Sequence, residues 1–153
     1  MGRRSVGGYD FRNDGKDSDA PYPAKATADA VRQFMKRVNG ELCAFNTVEI
    51  IKRYDPLFFI IENPASGRLW KYIEDVMGFR LPYLNLTRYN NYDYPLQKPT
   101  KFASNIDLGL KNDIIKQDIE WCHFSKSYNE RSNIPQKLVI EIFEKVYKEF
   151  LKI

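Results

Sequence analysis

The most prominent hydrophobic pattern is an unbroken apolar run from Leu57 to Ile61, followed directly by Glu62, Asn63 and Pro64. A half-exposed strand alternates apolar and polar residues, so this run predicts a short strand that is buried on both faces. In open parallel α/β sheets, the carboxyl ends of the strands carry the groups that bind ligands. We therefore predict a central parallel strand that presents Glu62 and Asn63. The same residues also suit a structural role, in which Pro64 ends the strand and Glu62 or Asn63 binds backbone donors.

Helical periodicity precedes and follows this run. Apolar residues at helical spacing predict one helix from Thr27 to Val38, ended by Asn39-Gly40, and a second from Glu41 to Tyr54. The first would bury Ala30, Val31, Phe34, Met35 and Val38, and the second would bury Leu42, Phe45, Val48 and Ile51 or their neighbours. A third helix, Gly67 to Val76, is predicted to have Ser66 as its cap and to end at Gly78.

The rest of the chain contains two further strand patterns and a terminal helix. Strands are predicted from Tyr83 to Tyr89 and from Thr100 to Ser104. Pro135 is expected in the first turn of the last helix, whose apolar face would comprise Leu138, Val139, Ile142, Phe143, Val146, Phe150 and Leu151. Residues 1–25 are predicted to form a mobile arm, and residues 26–153 a single α/β domain.

Composition narrows the class of protein. The chain has 153 residues, of which 43% are hydrophobic, and a formal net charge of +4, which permits an anionic partner such as nucleic acid. Cys43, Cys122 and the single His123 lack zinc-ligand spacing, so free thiols and a packing or surface histidine are expected. No apolar stretch is long enough to span a bilayer, and a cytoplasmic location without membrane contact is predicted. The tyrosines from Tyr83 to Tyr94 could stack on nucleic acid or pack in the core.

Three stretches occur in a characteristic order. They are Glu62-Asn63-Pro64 after the apolar run, the segment YPLQKPTKFASN over residues 94–105, and RSNIP over residues 131–135, before the last helix. In this order and spacing they resemble the C-terminal half of phage-type DNA cytosine-5 methyltransferases, over roughly residues 40 to 150.

The resemblance implies a partial Rossmann-like methyltransferase sheet, flanked by helices, that binds DNA. In that family, a cysteine thiolate attacks C6 of a flipped cytosine, and S-adenosylmethionine methylates C5. Glu62, beside Asn63, would hold the Watson–Crick edge of the base, with its carboxyl buried by the apolar run. Lys98 would contact the base carbonyl or a phosphate, and Lys101 is the weaker match for this role. The other site residues implied are Arg88 and Arg68 as DNA contacts and Asn133 and Pro135 as cofactor contacts.

The chain also departs from the family pattern. It has no Asp/Glu-x-Phe-x-Gly-x-Gly stretch to receive S-adenosylmethionine, and neither cysteine follows a proline, as the nucleophile does in this family. Methyl transfer by the isolated chain is therefore not expected, and the cofactor would bind only with a complementing methyltransferase subunit or other partner half. A split-enzyme subunit, a gene remnant and a truncated reading frame all fit, as does a homodimer. The alternative is a non-catalytic nucleic-acid or protein-interaction module on a remnant methyltransferase scaffold.

Overall fold

The computed structural model describes residues 5–6, 9–10, 22–117, 119, 124, 127, 130 and 132–153. Cys122, His123 and most of the predicted arm over residues 1–25 lie outside this part of the chain. The chain divides into two compact units, residues 1–53 and residues 54–153. Each unit is described by itself.

The first unit is dominated by one long helix. Two short antiparallel strands come first, β1 (Ser5–Val6) and β2 (Tyr9–Asp10). Helix α1 (Tyr22–Tyr54) follows and is continuous over its 33 residues. The predicted break at Asn39-Gly40 is therefore wrong. A glycine inside a helix costs only about 1 kcal/mol, and an ion pair across this point, Arg37 Nε to Glu41 Oε1 at 2.6 Å, supports the helical turn.

The faces of α1 also differ from the prediction. Val48 and Ala44 are buried, at 0% and 5% exposure, so the predicted burial of Val48 is confirmed. Ala30, Val38 and Ile51 are half-buried. Five other predicted core positions are exposed: Val31, Phe34, Met35, Leu42 and Phe45. Apolar spacing thus identified a helix correctly, but it did not identify which of its faces is covered.

The second unit is built on a three-stranded sheet. In chain order its elements are β3 (Ile60–Pro64), α2 (Leu69–Lys71) continuing into a π-helical turn (Tyr72–Val76), β4 (Tyr83–Arg88), a 3-10 turn (Tyr89–Tyr92), β5 (Pro99–Ser104) and α3 (Gln136–Phe150). The strand order is β3-β5-β4, and β5 runs antiparallel to both neighbours. Strands β3 and β4 are therefore parallel to each other, and the mixed α/β class is confirmed.

Strand β3 is not the buried central strand that the apolar run predicts. It lies at an edge of the sheet, its one strand partner among the described residues is antiparallel, and its burial alternates along the strand. The strand also begins later than predicted, because the Asn105 side chain forms the hydrogen bonds of the backbone groups that precede it. The Asn105 amide donates to Leu57 O at 2.8 Å and accepts from Phe59 N–H at 3.2 Å.

The predictions for the other elements are largely confirmed. Strands β4 and β5 and helix α3 form where expected, and Gly78 ends the second helical segment with φ +61°. The predicted Ser66 cap is wrong, because Arg68 is the N-cap residue and no side chain caps this helix. The core between sheet and α3 consists of Tyr89, Tyr92, Phe102, Leu108, Leu138 and Ile142. On α3, however, the predicted core residues Phe143, Phe150 and Leu151 are exposed.

Replacing Asn105 tests the account of the β3 boundary. Asn105→Ala leaves Leu57 O and Phe59 N–H without their partner, and we expect a loss of about 1–3 kcal/mol in the free energy of unfolding. Asn105→Asp keeps the acceptor for Phe59 but loses the donor to Leu57, so an intermediate loss is expected. Urea unfolding measures both, and two variants as stable as the parent chain would contradict this boundary.

Candidate functional site

The candidate site lies at one end of the sheet, where the ends of three strands meet. Because β3 and β4 are parallel, their carboxyl ends lie at the same end of the sheet as the amino end of the antiparallel β5. This arrangement brings together Glu62 from β3, Tyr89 directly after β4, and Lys98 directly before β5. Residues from three separate segments therefore form one cluster.

Tyr89 is the centre of the cluster. Its side chain is fully buried, its hydroxyl donates to Glu62 Oε1 at 3.3 Å, and its ring packs edge-on against Tyr94 at 5.6 Å. Burial raises the pKa of the Tyr89 hydroxyl far above its usual range, and the nearby Glu62 carboxylate adds to this effect. A hydrogen bond with Thr100 opposes it. Tyr89 therefore stays neutral and acts as a hydrogen-bond donor toward Glu62.

Lys98 lies over the Tyr89 ring. Its Nζ is 4.7 Å from the ring centroid, within the range of a cation–π contact. Tyr89 N–H bonds to Gln97 O at 2.8 Å, next to the Arg88–Pro99 pair that ends the ladder, and Lys98 lies between this bond and β5. The backbone of Lys98 is strained, with φ +27° in the left-handed region. Partial burial lowers the pKa of the Lys98 ammonium, and Glu62 partly restores it.

Glu62 differs from the prediction in its environment. The apolar run was expected to bury its carboxyl, but Glu62 is exposed, on a strand whose burial alternates from residue to residue. In the described part of the chain no ion pair joins Glu62 to Lys98. The cluster therefore offers a carboxylate acceptor at the Tyr89 hydroxyl and an ammonium donor over the Tyr89 ring.

Asn63 and Lys101 occupy the opposite face of the sheet. They are cross-strand partners, whereas Glu62 pairs with Phe102, and successive residues on a strand point to opposite faces. A Cβ on Gly67 would lie 2.5 Å from Asn63 Nδ2, so Gly67 is needed where the Asn63 amide packs closely. The structure thus separates Asn63 and Lys101 from the cluster around Tyr89.

The predicted arginine contacts have other positions. Arg88 Nη1 donates to Asn112 O at 3.0 Å and to the Asn112 side chain, and its Nε is buried without a hydrogen bond among the described atoms. Arg88 therefore holds the segment around Asn112 against the sheet. Arg68 is exposed at the amino end of α2.

The predicted cofactor contacts, Asn133 and Pro135, lie just before helix α3. Pro135 is buried and is the N-cap residue of α3, and Asn133 is exposed just before it. Within residues 22–117 and 132–153, two glycines lie between a strand and the helix that follows it: Gly67, which is close to the Asn63 amide, and Gly109, which has φ +53°. Binding of S-adenosylmethionine with a complementing half stays a prediction.

Sequence reasoning named Glu62 and Lys98 but missed Tyr89 as the residue that connects them. The available signal was the position of Tyr89 at the end of a predicted strand, next to a polar loop. The described residues include no group of three or more His, Cys, Asp or Glu side chains placed to hold a metal ion. They also include no helix with the length and apolar character needed to cross a membrane.

Comparisons with known proteins found no matching family model, no matching curated protein and no matching solved structure. The site is therefore interpreted from its own geometry.

The coupling between Glu62 and Lys98 can be measured directly. The Glu62 carboxylate stabilises the ammonium form, so Glu62→Gln is expected to lower the pKa of Lys98 further. An NMR titration of the Lys98 side-chain carbon next to Nζ checks this, with Glu74→Gln, an exposed carboxylate on another element, as the matched control. An unchanged Lys98 titration in Glu62→Gln would show that the two groups do not interact.

Proposed function

We propose that this chain supplies the target-base half of a DNA cytosine-5 methyltransferase-like protein, and that it binds an unpaired cytosine at Glu62 and Lys98, which both contact the buried Tyr89. One observation carries the proposal. Glu62 and Lys98 come from two different sequence stretches of the resemblance, and the fold brings them to the same buried tyrosine. Neither residue forms an ion pair within the described part of the chain, so both retain their capacity to bind a ligand.

The chemistry of the cluster matches the polar edge of cytosine. Cytosine presents an exocyclic N4 amino donor, and carboxylates accept hydrogen bonds from this group. In this proposal Glu62 accepts from N4, and Lys98 donates to the carbonyl oxygen of the base or to a neighbouring phosphate. Thymine presents the O4 acceptor where cytosine has N4, so a carboxylate disfavours it. An exposed Glu62 suits this role, because a base taken out of a DNA duplex must reach it.

The sheet is compatible with being the end of a larger Rossmann-like sheet. Mixed sheets occur among doubly wound folds, and here the antiparallel β5 lies between the parallel β3 and β4. Ala65 N–H bonds to Pro99 O at 3.0 Å, which fixes the alternation along β3 and turns the Glu62 backbone N–H and C=O toward the open edge. In this proposal another parallel strand, from the S-adenosylmethionine-binding half, pairs there. The chain itself contributes base recognition, and the partner half contributes the cofactor and the nucleophile.

A non-catalytic base-binding module is the second candidate. The observation that favours it is in the sequence, because neither Cys43 nor Cys122 follows a proline, as the nucleophile of the family does. In this reading the cluster around Tyr89 binds single-stranded nucleic acid and transfers no methyl group. Addition of a complementing half with S-adenosylmethionine separates the two candidates, because only the first acquires methyl transfer that depends on Glu62.

Base preference tests the proposed site. Short DNA duplexes with one extrahelical cytosine or thymine are titrated with the full chain and followed by fluorescence anisotropy. We expect cytosine to bind more tightly, and we expect Glu62→Gln to reduce this preference by about tenfold, since one good base contact contributes roughly 1–3 kcal/mol. Lys98→Met is expected to weaken binding to both duplexes.

Glu74→Gln is the control for the loss of one negative charge, and circular dichroism confirms that each variant is folded. Equal binding of cytosine and thymine, unchanged in Glu62→Gln, would contradict the proposed base site.

A further inference from the structure

Helix α3 has apolar residues on two faces, of which one is buried and the other is exposed. Leu138 and Ile142 are buried against the sheet. The other face, which we call the outer stripe, consists of Ile140, Phe143, Tyr147, Phe150 and Leu151. Their side chains are 48%, 69%, 61%, 54% and 64% exposed, respectively.

The area of the outer stripe is large for a monomer. Taking roughly 200 Å² for each of these large side chains, their exposed fractions leave about 600 Å² of apolar surface on one helix face. The largest apolar patch on a typical monomer is about 300–600 Å². Two such stripes packed together would bury up to about 1,200 Å², at the lower limit for a specific interface.

The spacing of the outer stripe indicates what covers it. Ile140, Phe143, Tyr147 and Phe150 follow one another at intervals of three, four and three residues, which is the a/d pattern of a helix pair. Because the stripe is apolar along its whole length, a second helix with the same pattern is a complementary partner.

Charge favours an antiparallel pair. Glu144 and Lys148 flank the stripe, are exposed, and make no ion pair among the described residues. In an antiparallel arrangement around a two-fold axis between Phe143 and Tyr147, Glu144 of one copy lies beside Lys148 of the other. A parallel arrangement offers no such opposite pair, since Val139 and Val146 occupy the flanking positions there.

We infer that the outer stripe of α3 is a homodimer interface, in which two copies of this chain pack their α3 helices antiparallel around a two-fold axis. The interface is isologous, so each copy uses the same residues. The inference does not depend on the proposed base site, which is formed by other residues.

Sedimentation velocity of the full chain over a range of concentrations tests the inference. We expect a reversible dimer with a dissociation constant on the order of 10 µM, as suits an interface near the lower size limit. Phe143→Glu is expected to weaken dimerisation at least tenfold. Tyr147→Glu provides a second disruption of the same stripe if the first variant does not fold.

Ile114→Glu is the matched control, because Ile114 is a large apolar residue, 83% exposed, that lies outside the stripe. Glu144→Lys is expected to weaken the dimer, and the double variant Glu144→Lys/Lys148→Glu is expected to restore it. A monomer at all concentrations would overturn the inference. So would a dimer that persists in Phe143→Glu but is lost in Leu42→Glu, which would assign the contact to α1.

Discussion

The antiparallel pairing of β5 with both of its neighbours is the constraint on which the second unit depends. Phe102 lies in register with Glu62 on one side and with Asn85 on the other. Because β5 lies between β3 and β4 and is antiparallel to both, β3 and β4 are parallel and their carboxyl ends lie at one end of the sheet. The pairing also places the strand that carries Phe102 over the core formed with α3. This pairing is what brings Glu62 and Lys98 close together.

The local patterns predicted much of the secondary structure. Strands β4 and β5 and helix α3 were readable because Tyr83 to Arg88 is rich in strand-forming residues and Pro135 marks a helix start. The burial of individual side chains could not be predicted from local patterns, since it depends on residues that are far apart in the sequence. Ile60 and Phe143 were expected inside because they are apolar, yet both are exposed. Gly40 was read as a helix end, although flanking helical residues and the Arg37–Glu41 ion pair continue the helix.

For the candidate site, the sequence identified residues but not their relations. Glu62 and Lys98 followed from the resemblance, whereas the contact of Lys98 with the Tyr89 ring depends on the pairing of β4 with β5, which brings the two residues together. As a consequence, two opposing effects act on the pKa of Lys98. Burial opposes its positive charge, and the Glu62 carboxylate supports it. A base bound between them would replace water around both groups and satisfy the two charges at once. Tyr89, held neutral by burial, orients the carboxylate.

The strand arrangement itself is the central claim, and backbone NMR tests it most directly. In an antiparallel ladder, residues in non-hydrogen-bonded pairs bring their Cα atoms to about 4.5 Å. The bond from Ala65 to Pro99 places Glu62 and Phe102 in such a pair, and the same alternation places Leu86 opposite Lys101 in another. We expect strong nuclear Overhauser effects between the α-protons of both pairs. Their absence, with contacts of Glu62 to parallel strands on both sides, would contradict the account and restore the buried parallel strand.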